Sequence, residues 1–389
     1  MAEAEHAPLS LIESVRYGSA ALPVQNPAEE VRSAVMTHRV IQWSTGNVGV
    51  HTLRAIIEHP ELELVGLWVH SAEKAGRDAS ELCGIDTPTG VIATNDVDAM
   101  LALDADAVCY TATGDLRPTE AVADMCRILA SGKNVVSTSV VSLLYPPTSP
   151  RGWVRQLDEA CQAGSTSCFT SGIDPGFAND LLPLVVSGFS ERIDTIRIVE
   201  NLDYSTYMQP EVLFDTMGFG QPLDHTALLL MPGALGFAWG GILHMIAAGL
   251  GETIDEIKEV IERWPAEADF DTAVGPITKG TMAGLRFEVQ GWSRGRAAII
   301  VEHVTRMHPD VAPDWPKPSG SGSYRITVDG SPSYVLHFEM MGEDGDHNTG
   351  GLVATGMRIL NAIPAVCDAP PGMLSTLDLP LVTGRGLLS

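Results

Sequence analysis

A chain of 389 residues with a formal net charge of −25 can bury a large core, and its length predicts two domains of roughly 150–200 residues each. That charge repels a phosphate backbone or an anionic bilayer, so nucleic acid and membrane are disfavoured as partners; a nucleotide cofactor stays open, because its site needs only local donors. Six cysteines (Cys83, Cys109, Cys126, Cys161, Cys168 and Cys367) form no C-x-x-C and no short Cys/His run, which reads as buried free thiols in a reducing, cytoplasmic setting.

Residues 1–36 are polar and lack the basic start and unbroken apolar core of a signal peptide, so they are expected to be an N-terminal extension, with Met36 as a second possible start. The folded part opens with an apolar strand at 40–43 that runs into Ser44, Thr45, Gly46, Asn47, Val48 and Gly49 and restarts as a helix near Val48. Unpaired N–H groups at a helix's positive end are where a diphosphate settles. Gly46 and Gly49 fit two positions of either G-x-x-G-x-x-G or G-x-G-x-x-G, with Trp43 or Ser44 in place of the first glycine. Two glycines also suit an ordinary strand-to-helix turn; the βαβ context favours a dinucleotide.

A second strand is predicted at 62–69. It ends at His70 and Ser71, with Lys74 and Arg77 following, where NAD-preferring sites place an acid. A hydroxyl and two cations suit a 2′-phosphate, so NADP(H) is favoured and NAD(H) remains possible. Next come a short strand at 90–93, a helix at 97–103, a buried strand at 107–111 leading into Thr111, Ala112, Thr113 and Gly114, a helix from Pro118 to 130, and a strand ending at Ser137. This alternation is the signature of a parallel sheet whose carboxyl edge gathers cofactor and substrate. A helix at 153–163 and a strand at 167–171 complete it, and the turn 172–177 delivers Asn179 and Asp180 to the head of a helix, as caps or, for Asn179, as a substrate contact.

Beyond that point the periodicity changes. Extended segments are expected at 194–201, 285–291, 298–305, 323–328 and 334–341, with Asp329-Gly330 as the turn between the last two, and a helical block at 211–264. The charge-free run 226–251, split by Pro232-Gly233, reads as two buried helices rather than a membrane span. Apolar residues around 214–230 suit a hydrophobic substrate pocket or simply core. The predicted fold is α/β: an N-terminal Rossmann-type parallel sheet at 37–172, an α+β second domain with an open mixed or antiparallel sheet at 173–348, and a helix and tail at 349–389 returning to the first domain.

The G-N-V-G turn, G-K-N-V-V-S at 132–137, I-D-P-G-F-A-N-D at 173–180 and R-I-L-N-A-I-P-A-V at 358–366 together resemble the proteins with a dihydrodipicolinate reductase-like N-terminal domain. Within that group the chain is most similar to the 2,4-diaminopentanoate dehydrogenases and native NAD(P)H-dependent amine dehydrogenases, over nearly everything from Arg39 onward. The resemblance implies an oxidoreductase that reduces an imine or carbonyl, in the amine dehydrogenase manner a ketone plus ammonia. It implies an acidic side chain that holds the ammonia near the nicotinamide, for which Asp115 is the match by position. True dihydrodipicolinate reductases carry E-x-H-H-x-x-K-x-D-A-P-S-G-T where this chain has Glu200-Asn201-Leu202-Asp203-Tyr204-Ser205-Thr206, so their activity is not expected here.

Hydride transfer needs positioning and a proton donor or acceptor beside the heteroatom. Asp115, Asp203, Tyr204 and His347 are the catalytic candidates, with Glu200 and Tyr207 for substrate and Asn348 at the cofactor side. Glu343, Asp344, Asp346 and His347 invite a metal but read as an acidic turn capping the last helix, so no metal is expected. The alternatives are a carbonyl reductase without ammonia, an aldehyde dehydrogenase using a cysteine thioester, and a non-catalytic NADP(H) sensor. A small carbonyl or amine substrate and a homodimer complete the expected partners.

Overall fold

The structure, a computed structural model, describes residues 37–388, so the expected extension at 1–36 lies outside the described residues. β1 (His38–Trp43) leads through the glycine turn into α1 (Asn47–Glu58), and β2 (Leu62–Trp68) follows. After α2 (Ala79–Cys83) and α3 (Val97–Ala102) come β3 (Ala107–Tyr110), α4 (Pro118–Ala130), β4 (Asn134–Ser137), α5 (Arg151–Gly164) and β5 (Ser167–Thr170). All four residues of β3 and of β5 are buried, as expected where helices cover both faces of a parallel sheet. The segment expected as a strand at 90–93 makes only isolated bridges, Asp78 with Ile92 and Trp68 with Thr94.

The second sheet begins after α6 (Leu181–Ser187). It comprises β6 (Arg192–Asp203), then, beyond α7 (Ala234–Gly249), β7 (Glu256–Pro265), a small hairpin of β8 (Phe270–Thr272) and β9 (Gly275–Ile277) standing apart, β10 (Met282–Ser293), β11 (Arg296–Arg306), β12 (Gly322–Ser331) and β13 (Tyr334–Phe338). The order is β13-β12-β6-β11-β10-β7, with β11 and β6 parallel and the other pairs antiparallel, which makes it an open mixed sheet. α7 packs its Leu235, Ile242, Leu243 and Ile246 with Ile198, Leu285, Phe287 and Val301 of the sheet in one core.

Three local expectations are corrected. The helical block ends at 249, and 256–265 is a strand paired with β10 along its length. Ile257 and Ile261, four apart, share a face in either conformation, so their spacing could not choose between them. The run 226–251 holds one helix, preceded by a single 3-10 turn at Leu228–Leu230. Asp329 and Gly330 lie inside β12 at a bulge, and the reversal is made by Pro332 and Ser333. A Cβ on Gly330 would collide with the Arg192 carbonyl, so this glycine serves close strand approach instead of a turn.

The chain closes with α8 (His347–Leu360), α9 (Ile363–Cys367) and β14 (Gly372–Leu374), which pairs parallel with β5 and gives the first sheet the order β14-β5-β4-β3-β1-β2. The run His347–Cys367 is long and apolar enough to cross a membrane by length and composition alone. Here Ile359, Leu360, Ile363 and Val366 pack with Val40, Ile56, Cys109, Val136 and Phe169 on one face of the first sheet. The other face meets α3, α4 and α5 through Ile41, Tyr110, Val135 and Cys168.

Candidate active site

β1 has β2 on one side and β3 on the other, so the connections leaving it diverge, and a crevice opens at the carboxyl end of such a pair. There Ser44 turns into the left-handed region, φ 79°, and Gly46 caps α1 with no side-chain hydrogen bond to its free N–H groups. A Cβ on Gly46 would meet nothing within 4 Å, which leaves open space over these amides for a diphosphate. On Gly49 it would strike the Ser44 carbonyl and come within 2.6 Å of Thr111 Oγ1, so this glycine lets α1 lie against the strand ends. The residues present therefore fit a dinucleotide.

A buried amide locks the turn. Gln42 Nε2 donates to the Ser44 carbonyl (2.8 Å) and to Thr111 Oγ1 (2.9 Å), and its Oε1 accepts from Thr52 Oγ1 (2.9 Å). Trp43, in the position of the missing glycine, turns into the core and stacks on Trp68 at 4.7 Å, leaving the turn clear. Lys74 Nζ donates to the Thr45 carbonyl and Oγ1, both at 3.0 Å, setting a cation beside the turn. His70 and Ser71 follow β2, while Arg77 is occupied by Glu81.

The remaining cofactor candidates divide. Thr111 donates to the Trp43 carbonyl, the Ala112 carbonyl accepts from Ser139, and Thr113 is exposed beyond them. Ser137 is fully buried with its Oγ accepting from Ser139 N, which makes it a structural residue. Asn348 lies across the crevice at the start of α8, donating to the Asp203 carbonyl (3.0 Å) and Thr206 Oγ1 (2.8 Å).

A second concavity of about 90 Å³ lies where the loop leaving β5 meets the end of β6, β12 and the start of α8, and Asp174, Glu200, Tyr204, Tyr207, Tyr324 and His347 all line it. Glu200 is buried. Its Oε2 accepts from Tyr324 Oη at 2.7 Å and its Oε1 from Tyr204 Oη at 3.2 Å, and His303 Nδ1 stands 3.1 Å from the same Oε1. Burial first, then the Glu200 charge, holds both tyrosines well above the ordinary phenol range. Tyr207 stacks on Tyr204 at 4.8 Å and accepts from Gln209. His347 Nε2 meets the Asp203 carbonyl at 2.6 Å, which fixes the end of β6.

Other candidates stand apart. Asp115 is exposed and accepts from Val141 N at 2.9 Å without lining the cavity. Asp203 offers its carbonyl here, while its carboxylate accepts from Ser205 N. Asn179 is fully buried and braces the 172–180 loop by accepting from Gly176 N. The 343–348 turn is a cap: Asp346 accepts from Asn348 N, and Asp344 from Asp346 N and Thr349 Oγ1. All six cysteines are free, and burial pushes the Cys109 and Cys161 thiols up to about 12, the opposite of an activated nucleophile.

Sequence reasoning missed Asp174, His303, Tyr324 and Trp239. Glu302 and His303 together end the apolar run of β11, and that break in the pattern was the available signal. Ligand atoms of Asp174, Glu200 and His303 lie within 4.8 Å of one another. The imidazole stands between the carboxylates, one nitrogen towards each, so an ion held by one nitrogen would leave the other facing its carboxylate.

Known proteins share this architecture. Residues 177–385 match the 2,4-diaminopentanoate dehydrogenase C-terminal domain. The chain is 41% identical over 351 residues to an amine dehydrogenase of Streptomyces virginiae, covering 90% of this chain and 98% of that protein. A 2,4-diaminopentanoate dehydrogenase of Acetoanaerobium sticklandii is 22% identical, with 88% and 93% covered. Among solved structures, amine dehydrogenase from Mycobacterium smegmatis superposes with a TM-score of 0.73 at 20% identity, covering 90% and 97%.

Proposed function

The chain belongs to the family of the 2,4-diaminopentanoate and amine dehydrogenases and is an NAD(P)H-dependent oxidoreductase; from that premise we propose that it interconverts a carbonyl compound plus ammonia with the corresponding amine. A nicotinamide supplies or accepts the hydride when bound. The N-terminus of α1, whose cap leaves its amides free, would hold the diphosphate. Lys74, whose ammonium lies beside Thr45 in the segment that follows β2, favours a 2′-phosphate and hence NADP(H).

The observation that carries the amine reading is the direction of the hydrogen bonds on Glu200. A carboxylate that takes hydroxyl hydrogens from Tyr204 and Tyr324 leaves those phenols with lone pairs to offer the cavity. An acceptor surface backed by a negative charge suits the N–H groups of ammonium or an iminium carbon's nitrogen. A carbonyl oxygen would instead need a donor. Electrostatic preference for the iminium form also makes the carbon a better hydride acceptor.

The test is oxidation of NADPH with a panel of ketones and aldehydes, with and without ammonium. Turnover that requires ammonium supports the reading. Equal turnover without it would mark a carbonyl reductase, and tight NADPH binding with no turnover a sensor. Tyr204→Phe is expected to raise the KM for ammonium about tenfold, the equivalent of one lost hydrogen bond to a charged group. Lys74→Ala is expected to raise the KM for NADPH by about tenfold while leaving that for NADH unchanged.

A further inference from the structure

His303 is 5% exposed at its side chain and is held on every side. Nδ1 lies 3.1 Å from Glu200 Oε1 and Nε2 3.3 Å from Asp174 Oδ1. Phe287 stacks on the ring at 4.6 Å with an interplanar angle of 13°, and Trp239 meets it edge-on at 4.8 Å. The Trp239 indole donates to the same Asp174 Oδ1 at 2.8 Å, so the ring, the indole and the carboxylate fix one another. These are ion-pair contacts, Nε2 having no hydrogen-bond partner of its own among the described residues; a neutral imidazole would set a lone pair beside one of the two anions, whereas the imidazolium places a positive charge between them. Tyr204 and Tyr324 face this cluster through Glu200, and Asp180 lies within electrostatic reach of Asp174, with the Arg358 cation beyond it.

We propose that His303 is a positioning residue that remains an imidazolium throughout turnover, cancels the charge of Asp174, and leaves Glu200 as the one net negative charge behind the two tyrosines. The proposal rests on the amine reading above and names what sets its electrostatics. Asp174 and Glu200 each contribute one negative charge and His303 one positive, so the buried cluster carries a single net negative charge facing the cavity. Burial opposes the charged ring, but the Asp174 and Glu200 carboxylates outweigh it and push its pKa up to about 10. Without the ring's charge, two buried anions would face each other, and one of the carboxylates would take up a proton.

The experiment compares wild type, His303→Gln and His303→Gln/Asp174→Asn for the KM of ammonium, kcat and NADPH affinity between pH 6 and 9. Wild type is expected to show no titration from the cluster after correction for ammonium itself. His303→Gln should raise the KM for ammonium about tenfold at pH 6, with a smaller change in kcat and a new limb in the pH profile. The double variant removes the second carboxylate and so leaves the charge on Glu200 behind the two tyrosines, which should return that KM to within about threefold of wild type. A structural role would instead make the double variant worse than the single one, and an unchanged pH profile in His303→Gln would also overturn the proposal.

NMR of wild-type enzyme with labelled imidazole nitrogens gives a reading that needs no variant to fold. One of the 11 histidines should keep both ring nitrogens protonated from pH 6 to 9; if every histidine titrates in the ordinary range, the proposal falls. Wild-type turnover that ignores ammonium would sink the amine reading instead, and the two failures are thereby separable.

Discussion

Two glycines three residues apart do different work, and single substitutions separate them. Gly46 has open space where a Cβ would stand, whereas Gly49 faces the Ser44 carbonyl and Thr111 Oγ1. Gly46→Ala is expected to leave thermal stability unchanged but to weaken NADPH binding at least about tenfold, because the methyl occupies the approach to the helix amides. Gly49→Ala should lower stability itself by ~1–3 kcal/mol, the usual cost of overpacking. Thermal melts beside cofactor titrations check both, and equal effects on the two measurements would contradict this division. The motif positions were legible from spacing alone; Gln42, which ties the turn to Thr52 and Thr111, was not, since a Gln inside an apolar strand carries no sequence sign of its partners.

At the scale of elements, α8 links the two sites. Its first turn carries His347 and Asn348 at the cavity, and further along Gly356 rests on α1, where a Cβ would come within 2.7 Å of Thr52 Cγ2. Thr52 in turn donates to Gln42. Gly356→Val is therefore expected to cost ~1–3 kcal/mol in stability and to loosen NADPH binding as well, although residue 356 is not part of the glycine turn; denaturant melts and a fluorescence titration would show whether the two losses travel together. The same scale is where sequence reading failed in β7. An apolar spacing of four satisfies a helix and a strand alike, and the ladder to β10 settled what the pattern left open.

For the molecule as a whole, a buried polar chain joins the tail to the first sheet. Thr376 Oγ1 donates to Asp180 Oδ2 and accepts from Arg358 Nη2, and Arg358 Nε donates to Ser171 Oγ. Burial raises the Asp180 carboxyl to about 6 although the Arg358 charge opposes it. A group whose pKa rises on folding binds its proton more tightly in the folded state. Its stabilisation is complete below the ordinary value of 3.8 and disappears as pH climbs through about 6. Against Asp180→Asn, wild type should thus lose on the order of 2–3 kcal/mol of relative stability between pH 4 and 7, measured as the difference between the two denaturant-melt series. Parallel curves would show that Asp180 does not titrate differently on folding.

The amino-acid pattern alone determined the α/β class, the parallel sheet, the glycine turn between β1 and α1 and the presence of Glu200, Tyr204, Tyr207 and His347 near a cleft, because each of these follows from hydrophobic period, turn chemistry or position at a strand end. Only the tertiary structure decided which charges meet. The apolar runs of β6 and β11 say that Glu200 and His303 belong to buried strands, but the parallel register that sets one opposite the other, and the loop that brings Asp174 to the far side of the ring, are choices between distant segments. Electrostatic identity in a low-dielectric interior belongs to such neighbours rather than to the residue, and a linear pattern carries no information about them.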